Sequence, residues 1–325
     1  MTARSVPERL RASPHAASVV EAVVLLASFA VLSAASTLAD DYWLQIGFRI
    51  LIYLALAEAW NLMAGFAGLV SLGTSTFVGL GAYVAFGLLN HSSVPLPIIL
   101  AGSALAGVAL STLVAPALFR LRGLYFTVGT LALAELLRLA MINISAFGGA
   151  SGIFLQNDPP PLPELFRYAL FAALLASLVI WACSRTRISV ALRAVRDDED
   201  AAAQIGVRPF RIKLAAFALA SALAAIAGGI QATKLGAIEP YGMFGLQWSI
   251  DVLSMVIIGG VGFRLGPLVG ALFVVALGEM LADYPEAHTA ITGVILILVI
   301  RFAPNGIVGL GAALLSKRPA AQAAP

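Results

Sequence analysis

The sequence predicts an all-α, polytopic membrane protein with about ten transmembrane helices and both termini in the cytoplasm. Three observations predict this fold: the composition, the spacing of the apolar stretches and the distribution of the basic residues. Of the 325 residues, 60% are hydrophobic and only 11% are charged, whereas a soluble domain carries roughly 25% charged residues. A soluble protein of this length is excluded, because it would have to cover its water-facing surface with polar groups.

Ten apolar stretches come close to the roughly 20 residues that a helix needs to cross the hydrocarbon core of a bilayer. In chain order, they are 19–37, 44–63, 66–89, 96–119, 123–142, 165–183, 214–237, 248–262, 265–283 and 287–304. No separate soluble domain fits between them, so residues 1–325 are predicted to form a single transmembrane domain.

Two of these stretches allow another interpretation. The eighth is short and begins with polar residues (248–251), so it could be a half-helix or a re-entrant segment, which membranes tolerate where protein or water surrounds it. The first could be a signal peptide with Ser33-Ala34-Ala35 as its cleavage site. Because the stretch 19–37 is long for the apolar part of a signal peptide, we predict a retained helix.

Basic residues are divided unequally between the two sides of the predicted bundle. Ten spans place both termini on one side, and that side receives sixteen of the 20 Lys and Arg residues: Arg4, Arg9, Arg11, Arg120, Arg122, Arg185, Arg187, Arg193, Arg196, Arg208, Arg211, Lys213, Arg264, Arg301, Lys317 and Arg318. The other side or the membrane receives four: Arg49, Arg138, Arg167 and Lys234. Because basic loops stay in the cytoplasm, both termini are predicted to be cytoplasmic. Loop bias also explains the net charge of +3 without a nucleic-acid partner.

The inner loop 184–213 is the most informative segment. Its residues 191–206 (ALRAVRDDEDAAAQIG) predict one short helix that ends at Gly206, since glycine tolerates the left-handed conformation of a helix C-cap. Together with the alanines of the segment, three larger apolar side chains would give this helix an apolar patch in the cytosol: Leu192, Val195 and Ile205. A solvated linker is the alternative. It would need neither four consecutive acidic residues nor a capped alanine-rich turn, so we favour a docking element for a cytoplasmic partner.

Small residues recur every four positions in two segments. The first series is Ala67, Ser71, Ser75 and Gly79, and the second is Gly262, Gly266 and Gly270. Such spacing predicts a flat helix face on which a second helix can pack closely. A deformable helix beside a transport pathway is a compatible second interpretation.

Ionisable residues inside the spans are candidate functional groups. Glu135 and Arg138 lie three positions apart on one helix face and are predicted to form an ion pair. Asp251 and Glu279 flank the second glycine-rich segment and could serve the pathway or the packing. No chain of buried acids and histidines suggests a proton relay.

Catalytic motifs are missing from the sequence. Its three lysines are Lys213, Lys234 and Lys317, and none follows the glycine spacing of a phosphate-binding loop. We therefore predict that the chain is not an enzyme, that it binds no cofactor itself, and that any ATP is bound by other chains.

Four segments, in the same order along residues 60–310, resemble the signatures of one transporter family. In chain order, they are NLMAG at 61–65 with SLG at 71–73 and GLGAY at 79–83; LRGLYF at 121–126; RAVRDDE at 193–199; and GGVG at 259–262 with APNG at 303–306. Together they resemble LivM-type permeases, the branched-chain amino acid subfamily of ABC importers. The chain departs from that pattern at Thr74, Leu69, Phe147 and Ser189-Val190, which leaves the exact solute open.

The resemblance implies roles for two groups of residues. The first would couple the permease to an ATPase and comprises Arg193, Arg196, Asp197, Asp198, Glu199, Ala201, Ala202 and Gly206. The second would line the pathway or pack beside it and comprises Gly65, Gly68, Ser71, Gly73, Thr74, Gly79, Gly81, Gly259, Gly260, Gly262 and Gly266.

The resemblance also implies a setting for the chain, namely the inner membrane of a bacterium. The implied partners are a second, related permease subunit, two ABC ATPase subunits and a periplasmic or extracellular solute-binding protein. The implied solutes are branched-chain amino acids. Relatives of the family also carry urea, short amides and other small organic solutes, so these solutes are alternatives. A permease of the same architecture for a sugar is a further alternative. An ion-driven secondary transporter is less favoured, because the chain lacks a convincing internal repeat and buried coupling groups.

Overall fold

The computed structural model describes residues 14–37, 39–92, 94–303 and 305–316, and helices make up most of them. The helices are α1 (Pro14–Ala35), α2 (Asp41–Asn61), α3 (Thr74–His91), α4 (Leu96–Leu118), α5 (Leu124–Asn143), α6 (Leu162–Arg185), α7 (Arg187–Asp197), α8 (Glu199–Gln204), α9 (Pro209–Leu235), α10 (Pro240–Met243), α11 (Leu246–Gly259), α12 (Gly266–Met280), α13 (Pro285–Phe302) and α14 (Gly306–Ser316). Two strands of two residues each, β1 (Ile153–Phe154) and β2 (Ala237–Ile238), pair antiparallel. The all-helical prediction is confirmed over these residues.

Seven segments of the described chain are long and apolar enough to cross a membrane. They are Asp41–Phe66, Leu96–Leu118, Leu124–Asn143, Leu162–Arg185, Pro209–Leu235, Pro240–Gly259 and Ala290–Gly311. Shorter apolar helical stretches are Leu25–Ala34 and Gly266–Met280. The predicted eighth span, 248–262, corresponds to the 14-residue helix α11, and the short helix α10 precedes it within the apolar segment Pro240–Gly259. These lengths and compositions are those of a polytopic membrane protein.

The connection between α2 and α3 differs from the prediction. Helix α2 continues into a π-helical turn, Leu62–Phe66, and α3 begins only at Thr74 rather than at residue 66. Residues 68–73 are not helical, so the small residues at 67 and 71 do not share a helix face with residue 79. Hydropathy alone could not reveal this break, because buried irregular chain and helix can carry the same apolar residues.

Hydrogen bonds from neighbouring elements satisfy this irregular segment. The indole Nε1 of Trp60 donates to the carbonyl oxygen of Ser71 at 2.8 Å. The amide of Leu72 donates to the hydroxyl of Thr130 at 3.1 Å, and the hydroxyl of Thr127 donates to the carbonyl oxygen of Val70 at 2.8 Å. Non-helical backbone at membrane depth requires such partners. The start of α5 therefore holds the segment in place.

The centre of the fold is a close crossing of α3 and α9. A Cβ atom at Gly81 would lie 2.0 Å from the carbonyl oxygen of Ala225, and one at Gly228 would lie 2.1 Å from the carbonyl oxygen of Val78. Only glycine allows two backbones to approach this closely. For Gly81, the structure thus supports the packing interpretation.

A small polar assembly closes the end of the bundle opposite α7 and α8. Strands β1 and β2 join the loop after α5 to the connection between α9 and α10. The side chain of Asn90, at the end of α3, donates to the carbonyl oxygen of Phe154 and accepts from the amide of Gln156, both at 3.0 Å. The loop 143–164 is therefore bonded to the end of α3 and to the connection between α9 and α10.

Candidate coupling and pathway site

The inner loop folds as two helices, not as the single helix predicted over residues 191–206. Helix α7 ends at Asp197, and Asp198 then adopts an extended conformation with φ −156° and ψ 110°. Its Oδ1 accepts from the amides of Asp200 and Ala201 at 3.0 and 2.9 Å, so Asp198 caps the N-terminus of α8. Asp at this position satisfies amides that have no partner within the helix. The acidic run is therefore partly a capping device.

The apolar residues of this helix pair face two directions. Leu192, Val195 and Ala202 are buried against the transmembrane helices, whereas Ile205 is 76% exposed. The predicted patch of Leu192, Val195 and Ile205 is therefore wrong as a set, because the first two side chains anchor α7 and only Ile205 remains on the outer side. At the end of α8, Gly206 has φ +88°, the left-handed conformation expected of a C-cap.

Arg196 points toward the transmembrane helices. One guanidinium nitrogen donates to the carbonyl oxygen of Gly65 at 2.8 Å, and the Nε donates to Asp197 at 3.0 Å. Gly65 belongs to the π-helical turn at the end of α2, where a widened hydrogen-bond pattern frees backbone groups. Gly68 makes room for the arginine, since a Cβ there would lie 2.7 Å from its Cγ. Arg196 thus connects α7 to the end of α2.

Asn61 extends this connection to the turn between α11 and α12. Its side-chain oxygen accepts from the amide of Gly262 at 2.8 Å, and its nitrogen donates to the carbonyl oxygen of Phe263 at 3.1 Å. A Cβ at Gly65 would lie 2.2 Å from that side-chain oxygen and 2.7 Å from the amide nitrogen of Gly262. We call Asn61, Gly65, Arg196 and Gly262 the junction.

The glycines around the junction serve turns and close contacts. Gly260 and Gly262 have φ values of +128° and +77°, which side chains disfavour. A Cβ at Gly259 would lie 1.9 Å from the carbonyl oxygen of Gly266, the first residue of α12. The predicted helix face through positions 262, 266 and 270 is therefore wrong, because Gly262 lies in the turn before α12. Glycine spacing cannot distinguish a turn from a helix face.

The remaining predicted residues lie apart from the junction. Arg193 bonds within α7, where its Nε donates to the carbonyl oxygen of Ser189 at 3.2 Å. Glu199 forms an ion pair with Lys213 at the start of α9, and Ala201 is exposed. Gly73 packs on Thr130, Gly79 packs on the ring of Phe244, and Ser71 and Thr74 are buried. This last group therefore surrounds the start of α3.

One ion pair and one hydrogen bond inside the spans involve ionisable residues singled out from the sequence. Arg138 donates to Glu135 with its Nε at 2.9 Å, so the predicted pair is confirmed, and the guanidinium lies 4.6 Å from the ring centre of Tyr241. Asp251 accepts from the hydroxyl of Tyr53 at 3.1 Å. Sequence reasoning did not single out Asn61 as a site residue, although a lone amide at the end of an apolar stretch, before a glycine-rich segment, was a usable signal.

A buried carboxyl group joins α2 to α6. The hydroxyl of Ser177 donates to both carboxyl oxygens of Glu58, at 2.8 and 2.9 Å. We expect Glu58→Gln to leave the thermal unfolding midpoint almost unchanged, because an amide oxygen can accept the same hydroxyl. Ser177→Ala should lower it, since an unsatisfied buried acceptor costs about 1–3 kcal/mol. Fluorescence-detected unfolding in detergent measures both. A Glu58→Gln variant less stable than Ser177→Ala would contradict the expectation.

The chain is similar to known membrane transport proteins. The model of the family described as branched-chain amino acid transport system / permease component matches residues 42–300. The chain belongs to this permease family. The match includes α7 and α8, the junction and the helices around it, so the resemblance to LivM-type permeases is confirmed.

Individual relatives of this permease agree with the family. This chain is 30% identical over 293 residues to the high-affinity branched-chain amino acid transport system permease protein LivM of Escherichia coli (strain K12). The match covers 79% of this chain and 68% of the relative. The chain is 29% identical to LivM of Salmonella typhimurium, over 81% and 69%. The autoinducer 2 import system permease protein LsrC of Escherichia coli (strain K12 / DH10B) is 24% identical over 74% of each chain. No solved structure matches the permease.

Proposed function

We propose that this permease imports branched-chain amino acids, or a small polar solute of similar size, and that ATP hydrolysis in partner subunits drives the transport. The observation that carries the proposal is the helix pair α7–α8. Its inner side is anchored by Leu192 and by the bond from Arg196 to Gly65, and its outer side exposes charged residues and Ile205. A docked partner that moves can displace such a helix pair, and the anchored inner side passes the displacement to the transmembrane helices. Family membership supports the solute class.

The permease would act with a second, related permease subunit, two ATPase subunits and a solute-binding protein in a bacterial inner membrane. With the predicted ten spans and both termini in the cytoplasm, loop 184–213 would lie inside and loop 143–164 outside. Movement of the ATPase subunits would displace α7 and α8. The junction would then pass this displacement to the end of α2 and to the turn between α11 and α12. The strand pair and Asn90, which secure loop 143–164, would present a defined surface to the solute-binding protein.

A second candidate is import of another small solute by the same mechanism. The similarity to LsrC, whose name assigns it to autoinducer 2 import, favours keeping sugars and related compounds open. Urea and short amides belong to the same alternative. An ion-driven transporter that acts alone is the remaining rival, and it differs in needing no ATPase subunit.

One experiment separates these functions. The chain is purified from its native membrane in a mild detergent, its companions are identified by mass, and the complex is reconstituted with ATP inside vesicles. We expect ATPase subunits and a second permease, together with ATP-dependent uptake of labelled leucine. Uptake of urea or ribose instead of leucine would support the second candidate. Transport by the chain alone without ATP would overturn the proposal.

Ile205 gives a direct test of docking by the helix pair. We expect Ile205→Glu to reduce recovery of the ATPase subunits and to lower uptake on the order of tenfold. In the wild type, docking would bury the exposed Ile205 side chain, which stabilises by about 1.5–3 kcal/mol, and a charged side chain cannot make this contact. Ile205→Leu keeps the apolar surface and should behave as wild type. Co-purification and uptake assays measure both effects. Full ATPase recovery with Ile205→Glu would contradict the docking surface.

A further inference from the structure

A stripe of polar side chains runs along the first half of α2. Tyr42, Arg49 and Tyr53 are seven and four positions apart, so they share one face of the helix. Glu279 of α12 meets the first two: it accepts from the hydroxyl of Tyr42 at 3.0 Å and lies 3.4 Å from Arg49. Asp251 of α11 meets the third, accepting from Tyr53 at 3.1 Å. Three helices therefore contribute charged or hydroxyl groups to one face.

Tyr42 and Arg49 are about half exposed at the surface of the subunit, whereas Tyr53 and Asp251 are half-buried. The side chain of Arg49 is 49% exposed, and it sits nine residues into the span Asp41–Phe66. Charged side chains in membranes are costly and face protein or a water-filled cavity rather than lipid. Helix α4 shows the opposite pattern. Its outward residues Ile98, Leu105 and Leu113 are apolar, and it contains no charged residue.

The third helix of this face, α11, belongs to a divided apolar segment. A short helix, α10, precedes α11, and the side-chain nitrogen of Gln247 in the first turn of α11 donates to Asp251 at 2.6 Å. Trp248 packs beside Tyr53 with their ring centres 5.8 Å apart. Divided helices commonly line solute sites at membrane depth in transporters. The polar face thus combines aromatic, acidic and basic groups at a break in a span.

We propose that this face of α2, α11 and α12 lines the solute pathway, and that Arg49 and Glu279 receive the carboxylate and the ammonium group of a zwitterionic solute. The inference rests on the proposed function and adds the contact residues and the charge pattern of the solute. Within the described residues, Arg49 makes one hydrogen-bonded contact, at 3.4 Å to Glu279, which leaves most of its five donors for a bidentate bond to a carboxylate. Glu279 retains acceptor capacity for an ammonium group.

Cysteine labelling tests whether the face is reached by water. In a Cys183→Ala background, Gln247→Cys places one thiol on the face of α11 that carries Asp251, and Leu105→Cys places one on α4 at a position that is 70% exposed. The complete reconstituted complex is treated with a charged, membrane-impermeant methanethiosulfonate reagent. We expect labelling at position 247 and none at position 105. An unlabelled position 247 would overturn the pathway assignment.

Charge substitution tests the contact with the solute. Arg49→Gln should lower the rate of leucine uptake on the order of tenfold, Arg49→Lys should restore part of it, and Glu279→Gln should lower it similarly. Arg167→Gln is the matched control, because Arg167 is exposed near the start of α6 and donates to the carbonyl oxygen of Pro163. Arg49→Gln with the uptake of Arg167→Gln would overturn the solute contact. Absence of ATP-dependent leucine uptake in the wild type would instead reject the proposed function, and the labelling result at position 247 would still decide the pathway.

Discussion

Replacing Gly81 by alanine is expected to destabilise the permease by about 1–3 kcal/mol or more, the usual cost of forcing an extra carbon into a packed contact. The added Cβ would lie 2.0 Å from the carbonyl oxygen of Ala225, which belongs to the backbone of α9 and cannot rotate away. The two helices must then separate. Because α3 and α9 form the central crossing, we expect a lower unfolding midpoint and a loss of folded protein after detergent extraction.

The same substitution at an open glycine provides the control for this prediction. A Cβ at Gly293 in α13 meets no atom within 4 Å. Gly293→Ala should therefore raise stability slightly, since glycine in a helix interior is less favourable than alanine by roughly 0.5–1 kcal/mol. Fluorescence-detected size exclusion after heating compares the two variants. Equal midpoints for Gly81→Ala and Gly293→Ala would refute the close crossing.

The spans of this permease were predictable because hydropathy and charge bias act along the chain itself. Helix α4 is the clearest case, since the predicted stretch 96–119 differs from Leu96–Leu118 by one residue. The break before Thr74 was not predictable in the same way. Its stability comes from Trp60 and Thr130, whose hydrogen bonds replace those of a helix, and a hydropathy pattern does not contain such partners.

The candidate site also contains some features that depend on neighbouring residues and others that depend on residues far apart in the sequence. The C-cap at Gly206 could be predicted because the left-handed conformation is a property of one residue and its neighbours. The direction of Arg196 could not, since its partner Gly65 is 131 positions away in the sequence. Asn61 and Gly262 are 201 positions apart. Sequence motifs identified the participating segments, and only the fold determined which of their atoms meet.

Arg196 is expected to be a transmission residue rather than an ATPase contact, and its removal should have a large effect on transport. In the wild type, a guanidinium nitrogen of Arg196 lies 2.8 Å from the carbonyl oxygen of Gly65, and Arg196→Ala removes this donor. An unsatisfied buried acceptor costs about 1–3 kcal/mol, and about 1.4 kcal/mol corresponds to a factor of ten. We expect the ratio of leucine uptake to ATP hydrolysis to fall about tenfold, while the ATPase subunits still co-purify, because α7 remains anchored by Leu192 and Val195.

Arg193 supplies the matched control, because it carries the same charge on the same helix and its side chain bonds to Ser189 within α7. Arg193→Ala leaves the bond between Arg196 and Gly65 intact. A deficit in ATPase recovery for Arg193→Ala, with a normal ratio of uptake to hydrolysis, would separate docking from transmission. Equal ratios in the two variants would show that α7 transmits its displacement without the arginine. The junction would then be a structural contact, and the burial of Leu192 and Val195 would be the remaining physical link between α7 and the transmembrane helices.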